Sequence, residues 1–84
     1  MQNKMIIAMN LKWYRYQKHQ TQEEFYEHFN LNYKYMSRIE NGLINLSIDF
    51  LEAIAKKLGT TTIDLLTYNP AHEIKQKRID SLKN

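Results

Sequence analysis

Only two glycines and one proline interrupt the 84 residues, and each stands at the edge of a stretch whose apolar side chains recur every three or four positions. That recurrence is the period of an α-helix, and glycine or proline marks where a helix stops or starts. Strict alternation and β-branched runs, the marks of strands, are scarce. The chain is therefore expected to be all-α. Its length suits one domain. A chain of this size buries only roughly 60–65% of the surface it exposes when unfolded, so stability is thin and association with a second copy would help.

The first helix is expected over about Ile6 to His19, with Ile7, Leu11 and Tyr14 on one face. Thr21-Gln22-Glu23-Glu24 has the spacing of a capping box, in which Thr21 caps free amides and Glu24 reaches back. Phe25 and Phe29 follow one turn apart, and then a short break, Asn30-Leu31-Asn32, in which asparagine adopts a left-handed conformation cheaply. A third helix runs from about Tyr33 to Asn41, with Met36 and Ile39 inward and Gly42 as its stop. Ser47 caps a fourth that carries Phe50, Leu51, Ile54, Ala55 and Leu58 and ends at Gly59. Thr60-Thr61-Thr62 leads into a short helical turn with Ile63, Leu65 and Leu66. Asn69-Pro70 reads as an N-cap with proline at the first helical position, opening a last helix to about Leu82 anchored by Ile74, Ile79 and Leu82. Residues 1–68 form the expected domain and 69–84 a helical C-terminal extension.

Hydrophobic residues at 43% and charged residues at 25% give the balance of a folded chain rather than a disordered one. The absence of cysteine excludes disulfides, thiolate metal sites and thiol nucleophiles, and fits a cytoplasmic protein. The apolar run Met5 to Met9 is too short for an export signal or a membrane span. His19, His28 and His72 are scattered without metal-ligand spacing, Glu23 and Glu24 are helix neighbours that do not face one another, and no glycine-rich phosphate loop occurs. Neither an enzyme, a metal nor a cofactor is expected. A net charge of +3 fits either an ordinary solvated surface or affinity for phosphate backbones, and placement has to decide.

Two short helices joined by a three-residue turn are the raw geometry of a helix-turn-helix. Leu11-x-x-x-Arg15, Thr21-Gln22-Glu23-Glu24-Phe25 and Met36-Ser37-Arg38-Ile39-Glu40-Asn41-Gly42 occur in order, followed by Leu51-x-x-Ile54-Ala55-x-x-Leu58-Gly59 and Leu65-Leu66. Over about residues 7 to 66 this text resembles the Cro/repressor-type, or XRE-like, regulators, with their five- or six-helix lambda-repressor-like fold. The resemblance implies that the helix from Gln22 lies across a DNA backbone, with its first amides and the Gln22 side chain near a phosphate. It implies too that the helix from Tyr33 is the recognition helix. With Met36 and Ile39 inward, a 100° step per residue sends Lys34, Ser37, Arg38 and Asn41 to the opposite side, and Tyr33 leads.

Lys34 and Arg38, one turn apart, suit guanine O6 and N7, and Tyr33 and Ser37 join them as expected base contacts; the alternative for the two charges is a solvated helix face. Gln22, Asn32, Tyr35 and Asn41 are expected at the DNA backbone, Asn41 equally being a simple helix end. The resemblance gives Arg15 and Glu40 a structural salt bridge between the first helix and the end of the recognition helix. Trp13-Tyr14-Tyr16 reads as packing surface. Tyr26 stands where the family usually has alanine, and is expected to tilt outward or widen the approach of the two motif helices. Asn30 replaces a turn glycine, Gln20 an apolar residue and Leu46 a proline. Asn45-Leu46-Ser47-Ile48 resembles the matching loop of restriction–modification controller proteins. The expected function is transcription regulation on double-stranded DNA by a homodimer, with Leu65, Leu66 and Tyr68 at the dimer interface. The alternative is an antitoxin-type interaction module that also binds its operator.

Overall fold

The computed structural model describes residues 2–73, which form five helices in the order α1 (Asn3–Gln17), α2 (Gln22–His28), α3 (Tyr33–Glu40), α4 (Ile48–Leu58) and α5 (Thr62–Leu66), with residues 70–73 again helical. No strand occurs among the described residues. The all-α expectation holds. The expected anchors Ile74, Ile79 and Leu82 lie outside the described residues.

Four of the five helices begin on a side-chain cap that the local sequence supplies. Thr21 accepts from the Glu24 amide while the Glu24 carboxylate accepts from the Thr21 amide, the full capping box. Asn32, Ser47 and Thr61 accept from the amides of Tyr35, Phe50 and Asp64. Asn69 does the same for Ala71 at 3.0 Å. α1 starts three residues earlier than its apolar pattern announces, behind Gln2, which makes no capping bond.

Three helix ends share one device. Asn30, Gly42 and Gly59 have φ of 59°, 69° and 75°, and the following amide bonds back to a carbonyl five residues earlier: Leu31 to Tyr26, Leu43 to Arg38 and Thr60 to Ala55. This left-handed stop satisfies carbonyls that a helix end leaves open.

The core is built from Ile7 and Leu11 of α1, Phe25 and Tyr26 of α2, Met36 and Ile39 of α3, Leu51, Ile54 and Ala55 of α4, and Leu65 of α5. Six consecutive residues of α1, Ile6 to Leu11, are buried, so the middle of that helix is enclosed on every side rather than along one stripe. Its one polar member, Asn10, is fully buried and gives its amide to the carbonyls of Asp64, Leu65 and Thr67 at 3.1, 2.8 and 3.0 Å. Asn10 thus caps the end of α5 from another helix. The Asn10 carbonyl meets His72 Nδ1 at 2.7 Å, and the His72 ring stacks on Trp13 with centroids 4.1 Å apart, tying residues 70–73 to α1.

Leu65 corrects an expectation. It is 0% exposed and closes the core, because a five-residue helix has one inward position and Leu65 holds it. It is not available to a dimer surface. Leu66 is half-buried, Tyr68 is exposed, and Ile63, 76% exposed, points out from α5.

Candidate nucleic-acid interface

α2 and α3 pack on each other across the Asn30 turn. Met36, Ile39 and Glu40 form the buried side of α3, while Lys34 and Arg38 are both exposed one turn apart on the other. Asn41 is exposed and ends the helix, its amide bonded to the Ser37 carbonyl at 3.0 Å. Tyr35 flanks this face, 40% exposed and edge-on to Phe50 with centroids 5.6 Å apart. Ser37 is half-buried on the other flank. Tyr33 is half-buried as well and packs against the core. Asn32 is exposed with its Oδ1 accepting from the Tyr35 amide at 3.1 Å, which leaves the amide nitrogen as the outward donor. Lys34, Arg38, Asn32, Tyr35 and Asn41 therefore share one accessible surface, with Tyr33 and Ser37 at its edge.

Beneath that surface lies a buried cluster centred on Glu40, which is 1% exposed. Arg15 Nε donates to Oε2 at 2.9 Å and Nη2 to Oε1 at 2.8 Å, the paired geometry in which a guanidinium matches a carboxylate. The expected salt bridge is present. Arg15 is itself held by the Gln20 carbonyl at 3.1 Å and lies over the Tyr16 ring, 4.7 Å from its centroid. Burial alone would lower the Arg15 pKa; the hydrogen bond and charge of Glu40 outweigh it, so the net shift is upward.

Two further donors reach the same carboxylate. Gln22 Nε2 donates to Oε1 at 3.0 Å, and the Tyr26 hydroxyl donates to Oε2. Gln22, expected at a phosphate, is half-buried and bound to Glu40 in the free protein. Tyr26 is a correction. It neither tilts outward nor lies at the surface: it is 0% exposed, its ring edge-on to Phe25 at 5.1 Å. The physical reason is Glu40, which offers a buried anion where the phenol needs an acceptor. Burial first, then the Glu40 charge and hydrogen bond, push the Tyr26 phenol far above its ordinary range, so it remains a donor. The family pattern pointed away from this role. Gln22 and Tyr26, four apart, share one helix face, but that spacing does not name Glu40 as their common partner.

Among the described residues no three His, Cys, Asp or Glu side chains gather as a metal site, and no helix is long and apolar enough to cross a membrane.

A family model described as helix-turn-helix matches residues 11–66. No curated protein matches the chain. Among solved structures, the chain is similar to one described as the hypothetical transcription factor NHTF from Neisseria, with 27% identity and a TM-score of 0.71, over 88% of this chain and 84% of that one. The matched residues take in α2 to α5 entire and more than half of the chain, including both helices of the motif and the Arg15–Glu40 pair that braces them. The protein belongs to the helix-turn-helix family, as a Cro/repressor-type, XRE-like member.

Proposed function

We propose that the protein is a sequence-specific regulator of transcription, a repressor or autoregulator in the cytoplasm that reads a palindromic operator in double-stranded DNA as a homodimer. The observation that carries this reading is the two-sidedness of α3: Met36, Ile39 and Glu40 are buried while Lys34 and Arg38 stand exposed one turn apart. A helix so placed fits the major groove, and lysine and arginine are suited to guanine O6 and N7. Tyr33 and Ser37, at the edge of the face, reach neighbouring base edges. Gln22, Asn32, Tyr35 and Asn41 contact phosphates, positioning the protein without reading sequence.

In the homodimer the recognition helices lie roughly 34–36 Å apart, one turn of B-DNA. The surface between copies is the stretch from Thr60 to Tyr68, through Leu66, Tyr68 and the exposed Ile63.

Selection of bound duplexes from random DNA tests the reading, run with the unsubstituted protein and with Arg38→Ala. The unsubstituted protein enriches a two-fold symmetric site. Arg38→Ala still binds but loses preference at one position per half-site, worth about 1–3 kcal/mol of discrimination. No enrichment, or an Arg38→Ala profile identical to that of the unsubstituted protein, refutes the assignment.

A further inference from the structure

We infer that Tyr26 is a positioning residue for DNA binding: its hydroxyl secures Glu40 so that the Gln22 carboxamide is free to exchange that carboxylate for a backbone phosphate. The inference rests on the DNA-binding reading above and deepens it.

A carboxylate offers about four acceptor positions. In this protein all four on Glu40 are used: Oε1 accepts from Arg15 Nη2 and Gln22 Nε2, and Oε2 from Arg15 Nε and the Tyr26 hydroxyl. The donors differ in freedom. Arg15 and Tyr26 are buried, and Arg15 is further tied to the Gln20 carbonyl and the Tyr16 ring. Gln22 alone of the three residues is partly exposed, and its carboxamide is neutral. When Gln22 turns to a phosphate it trades one anionic oxygen for another. Glu40 then keeps three hydrogen bonds, at least one on each oxygen, and the buried charge is never stranded.

Without the Tyr26 hydroxyl the exchange changes character. Gln22 becomes the one donor other than Arg15, and its departure takes the buried carboxylate from three bonds to two. Gln22 is then held at Glu40 and withheld from DNA. Both side chains come from one face of α2, four residues apart, so a single helix delivers the mobile donor and its stand-in. An alanine at position 26, the residue the family resemblance leads one to expect, supplies no such donor.

The test is a double-substitution cycle on the full chain with a mixed-sequence duplex as probe, at low salt. Gln22→Ala and Tyr26→Phe each weaken binding by about three- to tenfold, the scale of one hydrogen bond. The double variant is no weaker than the weaker single one, because both losses run through the same phosphate contact. Losses that multiply, or a Tyr26→Phe chain that binds as well as the unsubstituted protein, overturn the inference while leaving DNA binding intact. An unsubstituted protein with no affinity for any duplex overturns both. If Tyr26→Phe fails to fold, nuclear magnetic resonance of the unsubstituted protein still tests the exchange on which the role of Tyr26 depends. The Gln22 side-chain amide resonances shift on adding duplex while Arg15 Nε holds its place, and a Gln22 amide that does not respond refutes the exchange.

Discussion

Glu40 is taken out of water with its charge, and Arg15, Gln22 and Tyr26 compensate it with four hydrogen bonds. Breaking such a pair from one side leaves the other charge buried and alone, at a cost of roughly 3–5 kcal/mol. A domain of this kind has only about 5–15 kcal/mol in all, so Arg15→Ala is expected to consume a large share of it, read as a fall in the urea midpoint. Replacing the three buried members together, as Arg15→Met with Glu40→Leu and Tyr26→Phe, removes both buried charges and the phenol hydroxyl at once, leaves the partly exposed Gln22 to water, and recovers most of that loss. A triple variant no more stable than Arg15→Ala contradicts this account. Tyr26 adds a dependence on pH. Its folded pKa lies above the unfolded value near 10, so its contribution is complete below about pH 10. Above that pH the unfolded chain releases a proton that the native state retains, and stability falls by up to about 1.4 kcal/mol per pH unit. Tyr26→Phe makes the alkaline decline shallower in melts compared between pH 9 and pH 11; an unchanged slope rules the mechanism out. Arg15 and Glu40 were legible in the sequence because a spaced motif carries both. Tyr26 was not, because the direction of a side chain depends on a partner fourteen residues away that no local pattern names. Asn10 was not legible in the sequence either, because its partners on and just after α5 belong to tertiary structure.

Helix boundaries follow from caps: Thr21 and Ser47 are legible as caps in the sequence, while Asn32 and Thr61, of equally suitable chemistry, read there only as a break and a lead-in. α1 is the exception. The apolar face begins at Ile6, yet the helix begins at Asn3; the earlier start was not legible because Asn3 and Met5 stand exposed and no capping side chain precedes them. Gln2 occupies the cap position with extended backbone at φ −73°, ψ 152°, and the first turn holds no acidic residue. The geometry for a cap is present and the side chain for it is missing. Gln2→Asp is therefore expected to stabilise the protein by about 0.5–1 kcal/mol, through an accepted amide bond and a favourable charge at the positive helix end. Ser47→Ala should destabilise by about 1 kcal/mol, removing the 3.1 Å bond from the Phe50 amide. Thermal melts of the two variants should move in opposite directions. A Gln2→Asp variant that melts lower shows that the start of α1 is not governed by its cap.

At the scale of the whole molecule, one recognition helix offers few base contacts, and the function proposed above meets this with two copies held at a fixed separation. The surface proposed for their contact lies around α5, where burial divides the expected residues: Leu65 closes the core, while Leu66 and Tyr68, with the exposed Ile63 beside them, remain to different degrees outside it. An isoleucine 76% exposed on a five-residue helix contributes little to the monomer, and a polar replacement there leaves the monomer's fold almost undisturbed. Ile63→Glu carries a charge to the surface proposed to be shared by two copies, where like charges meet across a two-fold axis. The expected result is a chain with an unchanged melting temperature under dilute, monomeric conditions and a sedimentation profile shifted toward monomer. Its affinity for a two-half-site duplex falls toward its affinity for a single half-site, and the binding curve becomes dependent on protein concentration in a range where the unsubstituted protein is saturated. Affinity for the half-site itself stays the same, because Lys34 and Arg38 lie on another helix. If Ile63→Glu remains dimeric and binds both duplexes as before, the copies meet elsewhere on the molecule; if it loses the half-site as well, α5 supports the recognition face directly rather than through a second copy.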